Sequence, residues 1–348
     1  MVFDDAPGRV IVFGLGGTIA MSAAAAGGVV PTLTAAVLVE AIPGLGDSGI
    51  DVDVVQFRQL PGASLTPADI FELADEIGRR AGGATGFVVT QGTDTIEETS
   101  YLLDLVHKLD HPVVVTGAMR NPSMAGADGP ANLLAAINLA ADPVARGFGC
   151  LVVINDEIHA ARRVRKQHTT STSAFASPDG GPIGFVVEGR PRLLNRVHRL
   201  GAVPVKSTGR KRIPIYTAAL GDDDFAVRAL TSQVDGLVVA GMGVGHVPSD
   251  IVEALTELAA EKPVVLASRT GSGSVLRSTY GFAGSERDLI ARGLIPAGFL
   301  NPLKARILLQ VALSGDSDID MIRQAFAVAG GDGEAEKWPW AITCEKEM

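Results

Sequence analysis

Short runs of β-branched and aliphatic residues recur along the chain at 9–14, 86–90, 112–116 and 150–155, and again at 213–217, 235–240 and 263–267. Each is nearly continuous Val, Ile and Leu without polar alternation, as expected for strands covered by helices on both faces of a parallel sheet. Between them, segments 66–80, 95–107, 130–141 and 250–260 carry apolar residues at helical spacing. Thr95 and Glu98, three apart, predict a capping box opening the second of these helices. Strands alternating with helices predict an α/β, doubly wound architecture. The polar, basic stretch around 189–212 separates the first four runs from the last three. It predicts an N-terminal domain at 1–190, a linker at 191–212 and a C-terminal domain at 213–348. The glycine-rich, acidic segment after about 329 predicts a mobile tail.

Composition narrows the chemistry. The 348 residues suffice for two ordinary domains, and 47% hydrophobic content with 5% aromatics points to cores of Ala, Val, Leu and Ile. A net charge of −9 argues against nucleic acid and anionic membrane surfaces, which call for clustered positive charge, and leaves small solutes as partners. The two cysteines, Cys150 and Cys344, form no disulfide framework, which suits a reducing compartment, and Cys150 opens an apolar run that reads as core. A strand beginning at Arg9 leaves no room for a secretory leader, and no apolar stretch reaches the ~20 residues that span a bilayer. A cytoplasmic protein is expected. The six histidines show no metal-ligand spacing, so neither metal nor cofactor is expected.

In open parallel sheets, ligands sit beyond the carboxyl ends of the strands. After the first run stands Gly14-Leu-Gly-Gly-Thr-Ile-Ala20, whose adjacent glycines allow a tight turn ending at Thr18. It completes neither a dinucleotide fingerprint nor a phosphate loop, and alone it is as readily structural as functional. After the second run stands Thr90-Gln-Gly-Thr-Asp-Thr-Ile-Glu-Glu-Thr99. Once Thr95 and Glu98 are assigned to the cap, Thr90, Gln91, Thr93 and Asp94 remain to face the crevice beside a helix N-terminus, which favours a carboxylate or an oxyanion. A threonine hydroxyl needs a base to become a nucleophile. Lys166 is a candidate, since a desolvated lysine accepts a proton. Among Arg162, Arg163 and Arg165, however, it reads more readily as part of a solvated basic run.

These residues resemble a known family, the bacterial-type L-asparaginases. The matches are Gly16-Gly-Thr-Ile-Ala20, Gly92-Thr-Asp-Thr95, Thr116-Gly-Ala-Met119, Ala127-Asp-Gly-Pro-Ala-Asn-Leu133, Val164-Arg-Lys166 and Asn301-Pro-Leu-Lys-Ala-Arg306, in family order across nearly the whole chain. The resemblance implies two α/β domains: a larger N-terminal one with a doubly wound, mostly parallel sheet, and a smaller C-terminal one. It also implies a homotetramer of close dimers, with each site between one subunit's N-terminal domain and a neighbour's C-terminal domain. Carried over by motif, Thr18 is the nucleophile, Thr93 the second catalytic threonine, Lys166 its charge partner and Asp94 the holder of the substrate's amino group. Gly62, Ser64, Gln91, Gly92 and Ala118 would line the substrate.

Four positions depart from the family pattern. Val29 stands where a loop tyrosine is usual, Gly62 where a substrate-binding serine is usual, with Ser64 two residues on, and Gln91 where a histidine is usual. Val244 takes the place of an asparagine that serves a neighbour's site, and Tyr280 is a phenol able to reach such a site. The reaction implied is hydrolysis of L-asparagine to L-aspartate and ammonia through an acyl-enzyme. The alternatives are another small amide (L-glutamine, D-asparagine or a lactam) and a weakly active protein that binds aspartate or asparagine. A nucleotide-binding domain is the weakest reading.

Overall fold

The computed structural model describes residues 8–23, 29–31, 33–206 and 208–340. The loop Met21-Ser-Ala-Ala-Ala-Ala-Gly-Gly-Val-Val30, whose small residues suggest a lid over the ligand, falls partly on 24–28, outside the described residues, and Cys344 also lies outside them. The chain divides into two compact units, 1–199 with 344–348, and 200–343.

The first unit is built on an eight-stranded sheet. Its strands are β1 (Arg9–Gly14), β2 (Asp51–Gln56), β3 (Gly86–Thr90), β4 (Val113–Thr116), β5 (Cys150–Ile154), β6 (Glu157–Ala160), β7 (Gly184–Val187) and β8 (Arg190–Leu193). The order across the sheet is β8-β7-β6-β5-β4-β3-β1-β2; β1 to β5 pair parallel, and the pairs β5–β6, β6–β7 and β7–β8 are antiparallel. Strands β3, β4 and β5 are buried at every position, which explains their unbroken apolar runs. The helices are α1 (Ala35–Glu40), α2 (Pro67–Arg79), α3 (Ile96–Val106) and α4 (Gly129–Ala141). Helix α2 starts on a full capping box between Thr66 and Asp69, with Pro67 in its first turn.

The second unit holds a parallel four-stranded sheet, in the order β9 (Ile215–Thr217), β10 (Leu237–Gly241), β11 (Val264–Ser268) and β12 (Ile295–Pro296). Its helices are α5 (Phe225–Thr231), α6 (Val252–Glu261), α7 (Glu286–Ala291), α8 (Pro302–Ser314) and α9 (Ile319–Ala329). Leu237, Val239, Leu255, Leu258, Leu266 and Leu289 form its core. The fold is thus two α/β domains, the first with the larger and mostly parallel sheet.

Two expectations are corrected. Thr95 and Glu98 form no capping box, because Thr95 makes no side-chain bond to the start of α3; its hydroxyl is committed to Gly62 O and Gln91 Nε2. The described segment after 329 is anchored at Trp338 and Trp340. Trp338 and Trp340 are buried with ring centroids 4.9 Å apart, and Trp338 Nε1 donates to Gly201 O at 2.7 Å. Two indoles supply the apolar area that the surrounding glycines and acids concealed. Residues 190–193, at the start of the basic stretch, form edge strand β8.

Candidate active site

The chain leaves β1 toward β2 on one side and returns through β3 on the other, so the winding reverses between β1 and β3, and it is beyond the carboxyl ends of strands at such a reversal that ligands sit. The loops after both strands bear glycine where the main chains meet. Gly16 and Gly17 adopt φ of 102° and 84°, and a Cβ on Gly17 would lie 1.9 Å from Gly92 N. A Cβ on Gly62 would lie 3.0 Å from Gly92 O, and one on Gly92 2.9 Å from Gly62 N. Three backbones from three loops therefore touch with no side chain between them. Thr18 and Thr93 each follow one of these touching glycines, so the two threonines converge although 75 positions of sequence separate them.

Thr93 and Asp94 occupy the single 3-10 turn Thr93–Thr95 ahead of α3. Lys166 Nζ donates to Thr93 Oγ1 and to Asp94 Oδ1, each at 2.8 Å. The lysine belongs to a two-residue ladder, Arg165–Lys166 against Phe175–Ala176, and its main-chain N–H donates to Glu97 Oε1 at 2.8 Å. Its side chain is only 17% exposed while that of Asp94 is 68% exposed, so the lysine looks inward to the threonine and the aspartate meets solvent. The solvated-run reading of Lys166 therefore gives way to the paired one. Glu97, buried on the first turn of α3 in the family-like stretch Glu97-Glu-Thr99, has no role legible in the sequence because its partner lies 69 positions away.

The turn after β4 closes another side. A Cβ on Gly117 would sit 2.6 Å from Gln91 O and 3.2 Å from the Thr93 methyl, so the main chain there presses directly on Thr93. Asp128 pins the turn by accepting from Met119 N at 3.0 Å and Arg120 N at 2.9 Å. Asn132 donates to Gly117 O at 3.0 Å and accepts from Asn155 N at 2.9 Å. The Ala-Asp-Gly-Pro-Ala-Asn sequence thereby acquires a physical purpose, which is to hold the neighbouring backbone in place.

Of the remaining expected residues, Gly92, Ala118 and Gly62 are buried beside the threonines. Ser64 is exposed at the end of the turn Gly62–Ser64, and Thr18 is partly exposed. Gln91, expected at the substrate, has no exposed surface; its Nε2 donates to Gly92 O at 3.2 Å and to Thr95 Oγ1 at 3.3 Å, which places it behind the turn. In the second unit, Val244 O accepts from Leu276 N at 3.1 Å in the turn after β10. The Tyr280 ring is 43% exposed and stands edge-on to His246, with centroids 4.8 Å apart. Among the described residues no group of histidines, cysteines and acids could hold a metal ion.

Hydroxyls at a crevice, one held by an ammonium group and pressed by backbone, suit acyl transfer. Comparison with known proteins agrees. Residues 9–199 match the asparaginase N-terminal domain and residues 212–326 the glutaminase/asparaginase C-terminal domain. A "Probable L-asparaginase" of Deinococcus radiodurans is 39% identical over 82% of this chain and 88% of its own. A "Glutaminase-asparaginase" of Pseudomonas fluorescens is 35% identical over 91% and 90%. The crystal structure of a "Probable Cytoplasmic L-asparaginase" from Campylobacter jejuni superposes with a TM-score of 0.82 at 36% identity, covering 92% of this chain and 99% of that one. A relative in Haemophilus influenzae, 33% identical over 83% of each chain, is a "Probable L-asparaginase periplasmic". The chain belongs to the asparaginase family.

Proposed function

We propose that this protein hydrolyses the side-chain amide of L-asparagine to L-aspartate and ammonia. The observation that carries the proposal is Lys166 Nζ at 2.8 Å from both Thr93 Oγ1 and Asp94 Oδ1, in the crevice where Thr18 arrives. In this reading the Thr18 hydroxyl attacks the amide carbon and gives up its proton, and backbone N–H groups hold the resulting oxyanion. The C–N bond then breaks as the leaving nitrogen takes a proton and departs as ammonia. Water attacks the ester, releasing aspartate and restoring the hydroxyl. Thr93 and Lys166 move the proton, and Asp94, the exposed carboxylate, holds the substrate's ammonium group. Gly62, Ser64, Gly92 and Ala118 line the substrate, with Gln91 behind them.

A second reading, favoured by Gly62 in place of a bulkier polar residue and by relatives named for both activities, is comparable turnover of L-glutamine. A homotetramer in the cytoplasm belongs to the same proposal. No helix among the described residues is long and apolar enough to cross a membrane. Sedimentation and cell fractionation test assembly and location.

The deciding experiment is ammonia release from L-asparagine and L-glutamine by wild type, Thr18→Val and Thr93→Val. Release by wild type that either variant abolishes supports the proposal. No release from asparagine, with tight binding of aspartate, would replace it with a binding role.

A further inference from the structure

We infer that Thr95 is a positioning residue for substrate binding: its hydroxyl sets the spacing between the turn that carries Thr93 and Asp94 and the turn Gly62–Ser64. The inference rests on the amide-hydrolysis reading above.

Thr95 Oγ1 donates to Gly62 O at 3.0 Å and accepts from Gln91 Nε2 at 3.3 Å. The chain Gln91–Thr95–Gly62 thus joins the end of β3, the start of α3 and the loop after β2. Thr93 and Asp94 stand between Gln91 and Thr95, so both ends of their turn are tethered. The two turns also touch directly through the main chains of Gly62 and Gly92. The contact brings the two turns together but has no direction, and the hydrogen bond from the Thr95 hydroxyl to the Gly62 carbonyl fixes how one turn sits against the other. This also explains why Thr95 is unavailable to cap α3.

The substrate would reach from Asp94 on one turn to Ser64 on the other, so the spacing governs affinity. The Thr93–Lys166 bond and the bond from Lys166 N to Glu97 are independent of Thr95 and would survive its loss. A disturbance at Thr95 should then appear in KM far more than in kcat.

The test is steady-state ammonia release with Thr95→Val, which keeps the shape, and Thr95→Ser, which keeps the hydroxyl, alongside melting temperatures. The expected result is a five- to tenfold rise in KM for Thr95→Val, with kcat within about twofold, and a KM near wild type for Thr95→Ser. Should Thr95→Val not fold, Gln91→Met provides a second arm. It removes the donor to Thr95 and to Gly92 O together with a buried Oε1 that has no partner, and should raise KM in the same direction. A lowered melting temperature with unchanged KM would reduce Thr95 to a structural role and overturn the inference. An inactive wild type would overturn the underlying reading with it, a distinguishable outcome.

Discussion

At the scale of single residues the question is what Lys166 does for Thr93. A neutral amine can take the threonine proton, whereas a fixed cation can only stabilise negative charge nearby. Lys166→Met should lower kcat by roughly 10²–10⁴, the usual contribution of a positioned acid or base. Lys166→Arg separates the two roles, because a guanidinium stays charged and cannot accept a proton. We expect Lys166→Arg to remain within tenfold of the methionine variant in kcat; recovery of most wild-type turnover would leave Lys166 as a charge partner only. Asp94→Ala should act differently, raising KM more than it lowers kcat, since its carboxylate is largely exposed beside the threonine. Thr93 and Asp94 stand out in the sequence because polar residues crowded at the end of an apolar strand have no packing role, whereas Thr18, on a turn as readily structural as functional, gains a role only from the family resemblance. Lys166 was ambiguous, since the short ladder with Phe175 and Ala176 that turns it inward has no periodicity to read.

At the scale of elements, the glycine contact between the β1 and β3 loops is the most exacting feature. Gly17→Ala meets two obstacles, a φ of 84° and a Cβ 1.9 Å from Gly92 N. It should destabilise the protein by roughly 3 kcal/mol and displace Thr18, measured as a lower denaturation midpoint together with lost turnover. Asp128→Ala should free the turn after β4 by removing the acceptor of two main-chain amides. A cost of about 2 kcal/mol is expected, and Asp128→Asn should recover part of it through its one remaining acceptor oxygen. All seven apolar runs read from the sequence contain strands; burial enforces the composition of six, while Ile215–Thr217 is only partly buried. Strand β2 escaped because Asp51-Val-Asp-Val-Val-Gln56 lies at the sheet's edge, half-buried, and carries two acids. Strands β7 and β8 escaped because alternate positions face solvent, and the arginines of β8 suggested a linker; β6, though buried, is short and its run is broken by Glu157 and His159.

At the scale of the folded chain, stability should respond to pH through a histidine remote from the threonines. His107, just past α3, is buried, and its Nε2 lies 2.7 Å from His111 O. Burial lowers its pKa to about 4, with Arg199 and His111 adding to the effect and the bond to the His111 carbonyl opposing it. The folded first unit therefore keeps His107 neutral where the unfolded chain, at an ordinary value near 6.5, already takes up a proton. A base whose pKa is depressed by folding contributes no penalty above pH 6.5. Its penalty grows as pH falls through the window down to about 4, reaching roughly 3 kcal/mol. The buried Asp104 carboxyl works in the opposite sense: burial raises its pKa, with Arg162 opposing, so it favours the folded state toward acid. His107→Gln isolates the histidine, because its amide N–H can still donate to the His111 carbonyl while taking up no proton. Urea midpoints of the first unit at pH 7, 6 and 5 should fall steadily for wild type and much less for His107→Gln. Parallel decline in both proteins would move the origin of acid sensitivity to another group.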